Sequence, residues 1–256
     1  MKPTSQLLFA GTLAVALGGF VTASHAGEAA ALQPAGLFGV TGSGKLQSES
    51  RAVGSFQAIA LHGSMNLVLR QATREALELR ADDNLLPLIE TKVVSRGGVP
   101  TLDNGSKDRS SFSTRNPITV TVDVVTLAAL SASGSGDVSG EGLKAAALKI
   151  SLAGSSDLKL GKVNFDEASV KISGSGKADL SGKAARFTLS ISGSGDASTR
   201  ELEADDVIVS IAGSGSASVN ARKTLGVSIA GSGSVDYSGD PTLKTSVAGS
   251  GSVKKR

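Results

Sequence analysis

Asp137, Asp157 and Asp196 each stand three residues after the first glycine of a Gly-Ser corner. Carboxylates stacked at Gly-rich corners are how calcium-binding nonapeptide solenoids hold their ions. The same column, however, continues as Lys177, Ser216, Ser234 and Ser252. A lysine inside a carboxylate ladder opposes a divalent cation. Asp and Ser suit such a turn for a simpler reason, because their side chains hydrogen-bond nearby backbone amides. The column therefore reads as turn chemistry, with no metal and no cofactor expected.

Other reactive residue types form no constellation. Gly39 to Lys45 resembles a phosphate-binding loop, but the residue after the lysine is Leu46 where a Ser or Thr should hold magnesium. Glycan-cleaving enzymes need convergent carboxylates in a groove, whereas Asp179, Asp205-Asp206 and Asp236 are scattered along the repeat. His62 is the one histidine after residue 26 and has no partner legible in sequence. Tyr237 is the only tyrosine and there is no tryptophan, which weakens sugar binding by aromatic stacking. No catalytic residue is assigned, and the chain reads as a non-enzyme.

Composition sets the compartment. Lys2, the apolar run Leu7 to Val21 and Ser24-His25-Ala26 have the form of a secretory signal peptide over residues 1–26. The expected location is periplasmic or extracellular, with no stable membrane insertion after cleavage. There is no cysteine, so neither disulfides nor thiolate metal sites hold the fold. The net charge of +3 falls by one on removal of Lys2, and the only basic cluster is Lys254-Lys255-Arg256. Nucleic acid is not an expected partner. Residues 27–50, rich in Gly, Ala and Ser, read as a flexible linker.

The elements that would position any site come from a repeat. Gly-Ser corners begin at Gly134, Gly154, Gly174, Gly193, Gly213, Gly231 and Gly249, in steps of 20, 20, 19, 20, 18 and 18 residues. Apolar residues recur two, four and six places before each glycine, as at Ile172, Val170 and Ala168 or Ile191, Leu189 and Phe187. They recur again four places after it, as at Val138 and Leu158. Period two puts each set on one face of a strand. The columns between them are small: Ser131, Ser151, Ser190, Ser210, Ser228 and Ser246 in one, interrupted by Lys171, and a mixture of Ser and Ala in the next.

These columns predict an all-β fold: a right-handed single-stranded parallel β-helix, or β-solenoid, with about 18–20 residues per coil. The seven glycines are its structural turns, since each corner asks for a backbone bend without a Cβ. Residues 128–256 form the repeat coils. Residues 51–127 supply N-terminal strands that cap one end, starting from a degenerate copy around Ile59, Leu61, Gly63-Ser64, Leu67 and Leu69. Leu77, Leu79, Val93-Val94, Thr101-Leu102 and Ile118 to Val125 are further strand candidates. Asp82-Asp83-Asn84 before Leu85-Leu86-Pro87 predicts a turn or short helical turn capped by Asp. Asp103 to Asn116 reads as a long exposed loop.

An exported N-terminus, Phe56-Gln-Ala-Ile59 before a Gly-Ser, the Asp82-to-Pro87 element and repeated Ile-Ser-Gly-Ser-Gly together resemble the bacterial head GIN domain family, described as auto-transporter adhesins. The resemblance covers about residues 50–256. It implies a β-helix outside the inner membrane and an adhesion role, and it transfers no catalytic residues. No membrane barrel of ten-residue amphipathic strands with aromatic girdles is legible after Val253, so self-secretion is not expected. The expected function is a cell-envelope adhesion, scaffold or interaction module, the alternative being a glycan-processing enzyme that uses a β-helix groove. A surface protein or glycan is the expected partner, and the flat Ser/Ala face is a candidate surface for homo-oligomers. Lys254, Lys255 and Arg256 are placed to discourage end-to-end association through the last coil.

Overall fold

The computed structural model describes residues 39–107 and 110–256. The signal peptide and residues 27–38 of the expected linker lie outside them. The remainder of that linker is ordered chain: β1 (Val40–Thr41) and β2 (Leu46–Arg51) are strands. The polar alternation of Leu46-Gln-Ser-Glu-Ser-Arg51 masks β2, which lies at the sheet's end with most of its side chains in water.

The N-terminal region continues with β3 (Ala58–Gly63), β4 (Asn66–Gln71), β5 (Ala76–Asp82), a 3-10 turn (Leu86–Leu88), β6 (Ile89–Arg96), β7 (Val99–Ser106), β8 (Phe112–Ser113) and β9 (Thr119–Val124). The repeat then runs through β10 (Ala129–Gly134), β11 (Val138–Glu141), β12 (Lys144–Gly154), β13 (Leu158–Gly174) and β14 (Lys177–Gly193). It ends with β15 (Asp196–Gly213), β16 (Ser216–Gly231), β17 (Ser234–Ser238), β18 (Thr242–Gly249) and β19 (Ser252–Lys255). The fold is an all-β solenoid of stacked parallel coils.

Register follows the sequence columns without slippage at the corners. Gly134, Gly154, Gly174, Gly193, Gly213, Gly231 and Gly249 stack one above the next. The column two places before the glycine is buried from Ala132 to Ile229, and Phe187 is fully inside. Each fully buried Leu, Ile or Val there contributes about 1.5–3 kcal/mol. The last coil departs from this pattern. Leu243 and Val247 occupy core columns yet are exposed, because no further coil covers them among the described residues.

A second bend lies eight residues after four of the corner glycines, Gly134, Gly154, Gly174 and Gly231. Gly142, Lys162, Gly182 and Gly239 all have positive φ there, and Lys162 is the only non-glycine residue that does. These bends divide those coils into a long arm ending at the Gly-Ser corner and a short arm after it. Irregular register at Leu160/Val163 and Asp179/Gly182 marks the same place.

The N-terminal cap is built by a chain excursion. Strands β3 and β4 form the first coil, and they pair in parallel with β10 and β11 on one side. Residues 72–128 then leave, fold back and lay β7 and β9 in parallel along the other side. Beyond this added coil the strands turn antiparallel: β6 on β7, β5 on β9, and β2 on β5. Arg51 fastens the end, donating to the carbonyls of Ile89 at 2.6 Å and Leu86 at 2.8 Å. The parallel stack thus ends in crossed-over strands instead of an open parallel edge.

Two expectations for this region need correction. Residues 103–116 are not one exposed loop, since β7 runs to Ser106 and β8 occupies Phe112–Ser113. Asn104 is fully buried beside Leu61, and its Oδ1 accepts from Thr91 Oγ1 at 2.9 Å. The 3-10 turn also has no side-chain cap. Neither expected aspartate caps it: Asp83 accepts from Ser43 Oγ and Asp82 from Thr114 and Asn116.

Candidate functional site

The carboxylate of Asp82 is 1% exposed and ties three segments together. It accepts from Thr114 Oγ1 at 2.6 Å and from Asn116 Nδ2 at 2.6 Å. These two hydrogen bonds, with a third from the Gly44 amide, hold its pKa below the usual carboxylate value despite the opposing effect of burial. Neighbouring Asn84 accepts from the Ser43 amide at 2.9 Å and donates to Thr41 O at 2.8 Å. The stretch that resembles a phosphate loop therefore wraps this acidic turn of the chain itself. Gly42 is required there because a Cβ would collide with the Asp82 carboxylate.

Anchored by Asp82, residues 110–118 form one wall of an open groove of about 1030 Å³. The other wall is the β6–β7 hairpin with the corner after His62. His62 is not isolated. Its Nε2 lies 3.1 Å from Asp103 Oδ1 and its Nδ1 lies 2.8 Å from Ser133 Oγ. Asp103 also pairs with Arg96, and Lys92 with Glu90 at 2.9 Å. The sequence hid this set because its members come from the first coil, the excursion and the second coil. The one usable signal was alignment of His62-Gly63 with Ser133-Gly134 in the repeat.

Ser, His and Asp in a row suggest acyl transfer, and the geometry argues against it. The Ser133 hydroxyl lies 2.8 Å from His62 Nδ1 and 3.3 Å from Leu61 O, so a backbone carbonyl competes for the proton that the imidazole would take. His62 and Asp103 line the groove while Ser133 does not. The nearby Ser135 amide donates to Gly63 O at 3.3 Å, which leaves it unfit as an oxyanion donor. The row is a positioning chain for groove side chains.

Three of the scattered carboxylates, Asp205, Asp206 and Asp236, are individually occupied. Asp205 meets Lys223 at 2.8 Å, and that hydrogen bond holds its pKa below the usual range. Asp206 accepts from Thr224 Oγ1 at 2.7 Å, and Asp236 pairs with Arg256 at 2.9 Å. At the corners Asp157 accepts from the Lys177 amide at 2.9 Å, and Asp196 from the Ser216 hydroxyl. Among the described residues no group of three or more His, Cys, Asp or Glu is placed to hold a metal ion.

Comparison with known proteins adds a family. The family described as "Putative auto-transporter adhesin, head GIN domain" matches residues 55–241. This chain belongs to that family. A solved structure described as a "putative adhesin" from Bacteroides fragilis is similar at 28% identity and a TM-score of 0.77, covering 85% of this chain and all of the other. A "putative lipid binding protein" from Parabacteroides distasonis is similar at 25% identity and 0.69, over 85% of this chain and 99% of the other. An adhesin-described structure from Parabacteroides merdae stands at 25% and 0.65, over 85% and 98%. No protein of curated function matches. The head GIN match takes in the groove, the cap from β3 onward, and all but the last coil.

Along the solenoid the seven corner glycines have φ between 94° and 135°. A Cβ on any of them would run into the carbonyl oxygen of the glycine one coil below. The Ser131, Ser151, Ser210, Ser228 and Ser246 side chains stand exposed on the long arm, with Ser190 half-buried. They form the outer row beside those corners.

Proposed function

We propose that this chain is a non-enzymatic, exported cell-envelope module that acts in adhesion or scaffolding through its extended surface. The observation that carries this reading is the long-arm outer face, where in-register rows of Ser and Ala make a flat, regular surface. The family description and the adhesin-described structural relatives support it. So does the signal-peptide form of residues 1–26. A second copy of the chain is one occupant of that face. Ile208, 57% exposed, lies beside Gly226 in register, and the space above Gly226 is open. A two-fold pair would seat each Ile208 over the partner's Gly226.

The test is cell fractionation with N-terminal mass determination, followed by binding of the purified mature chain to glycan arrays and cell surfaces. Expected are a chain cleaved after residue 26 in the periplasmic or extracellular fraction and saturable surface binding. An uncleaved cytoplasmic chain, or hydrolysis of envelope glycan by the purified protein, would overturn the reading.

A further inference from the structure

The groove beside His62 has a composition that specifies a ligand class. Its cations are Lys92, Arg96 and Arg115, and its carboxylates are Glu90 and Asp103. Lys92 and Arg96 are matched to those carboxylates by ion pairs. Arg115 is exposed and has no ion-pair partner among the described residues. Among the described groups one guanidinium is therefore left to receive an anion, and its planar fork suits a carboxylate.

The rest of the lining fits a polyhydroxylated body. Ser64, Ser106, Ser110 and Ser111 present hydroxyls, each able to donate and accept. Half-buried Phe112 lines the groove together with buried Met65 and Ile118, and gives an apolar patch for the C–H face of a sugar ring. The volume of about 1030 Å³ is at the top of the range of about 300–1,000 Å³ for small-molecule pockets. That is room for more than one sugar unit. The walls are also fixed in advance: Asp82 pins residues 114 and 116, and the Arg96–Asp103–His62–Ser133 chain holds the opposite side. Binding need not order them.

We propose that this groove binds a carboxylated oligosaccharide, with Arg115 pairing to the sugar carboxylate, Phe112 under a ring, and the hydroxyl-bearing residues meeting the ring hydroxyls. The inference deepens the adhesion reading and rests on it for its cellular meaning. A lipid is the competing ligand, and the charged, hydroxyl-rich lining disfavours an acyl chain.

Calorimetric titration with tri-galacturonic acid tests the groove, with maltotriose as the uncharged control and phosphatidylglycerol vesicles as the lipid control. The expected result is binding at least about tenfold tighter to tri-galacturonic acid than to maltotriose, the scale of one charge-assisted pair. Arg115→Gln should lose that preference while keeping its melting temperature, since the residue is exposed. Lys223→Ala, on a repeat coil remote in sequence from the groove, should bind normally. Equal affinity for both trisaccharides, binding to vesicles alone, or indifference to Arg115→Gln would each overturn the proposal. If those outcomes came with intact surface binding by the whole chain, the groove would fall and the adhesion reading would stand.

Discussion

Gly213 and Asp82 show two ways in which a single residue is compelled by its neighbours. Gly213 has φ of 131°, and a Cβ there would overlap the Gly193 carbonyl oxygen. An L-residue at that site suffers backbone strain and a collision with a neighbour fixed in the sheet. Gly213→Ala should cost about 3 kcal/mol or more, read as a lowered urea midpoint at unchanged slope; a loss within the noise would remove the steric account. Asp82 is compelled electrostatically. Its folded pKa lies below the usual aspartate value, through the Thr114 hydrogen bond first and Asn116 second. Its contribution is therefore complete above the unfolded pKa and disappears as pH falls through the folded one. Asp82→Asn sets an amide against the Asn116 and Gly44 donors and should lower the melting temperature at neutral pH. The gap from wild type should stay constant above about pH 5 and close on acidification. A gap that widened in acid would show that the carboxylate is not the stabilising form.

At the scale of the coil, the interior was legible in sequence and the second bend was not. Period-two apolar columns, from Ala132 to Ile229, announce an inner face directly because burial acts on each coil in the same way. Eight residues past the corner the chain meets a weaker demand: positive φ in Gly142, Gly182 and Gly239, but also in Lys162. A column in which lysine replaces glycine does not announce a corner. The groove was hidden for a related reason, since His62, Asp103 and Ser133 meet only because the excursion re-enters the stack out of sequence order. Lys162 supplies the element's own test. Its left-handed backbone is unfavourable for any residue with a Cβ, and the Lys162–Glu141 pair that it would lose lies in solvent, where such pairs contribute little. Lys162→Gly should raise the melting temperature by a few degrees. A lower melting temperature would mean that the exposed pair matters more than the backbone.

The whole molecule is asymmetric along its axis. One end closes with antiparallel strands and the Arg51 clamp. The other presents β18, exposed along its length, with Leu243 and Val247 open to solvent. Stacked coils stabilise one another only through their neighbours, so the last described coil is also the least supported. Strand β19 covers β17, and its basic residues are not simply free charges: Lys255 pairs with Asp240, and Arg256 with Asp236. They therefore act in two ways. They hold the strand over Val235, which is fully buried, and they bring positive charge to an edge that would otherwise invite pairing with another chain. Deleting residues 252–256 should uncover the β17 edge and remove both effects at once. Sedimentation velocity over a range of protein concentrations should then show concentration-dependent association of the shortened chain, well beyond that of the full chain. Substituting only Lys254, Lys255 and Arg256 with Gln separates the contributions: association midway between the two would assign part of the protection to charge and part to the covering strand. If the shortened chain sediments as the full one does, this end needs neither.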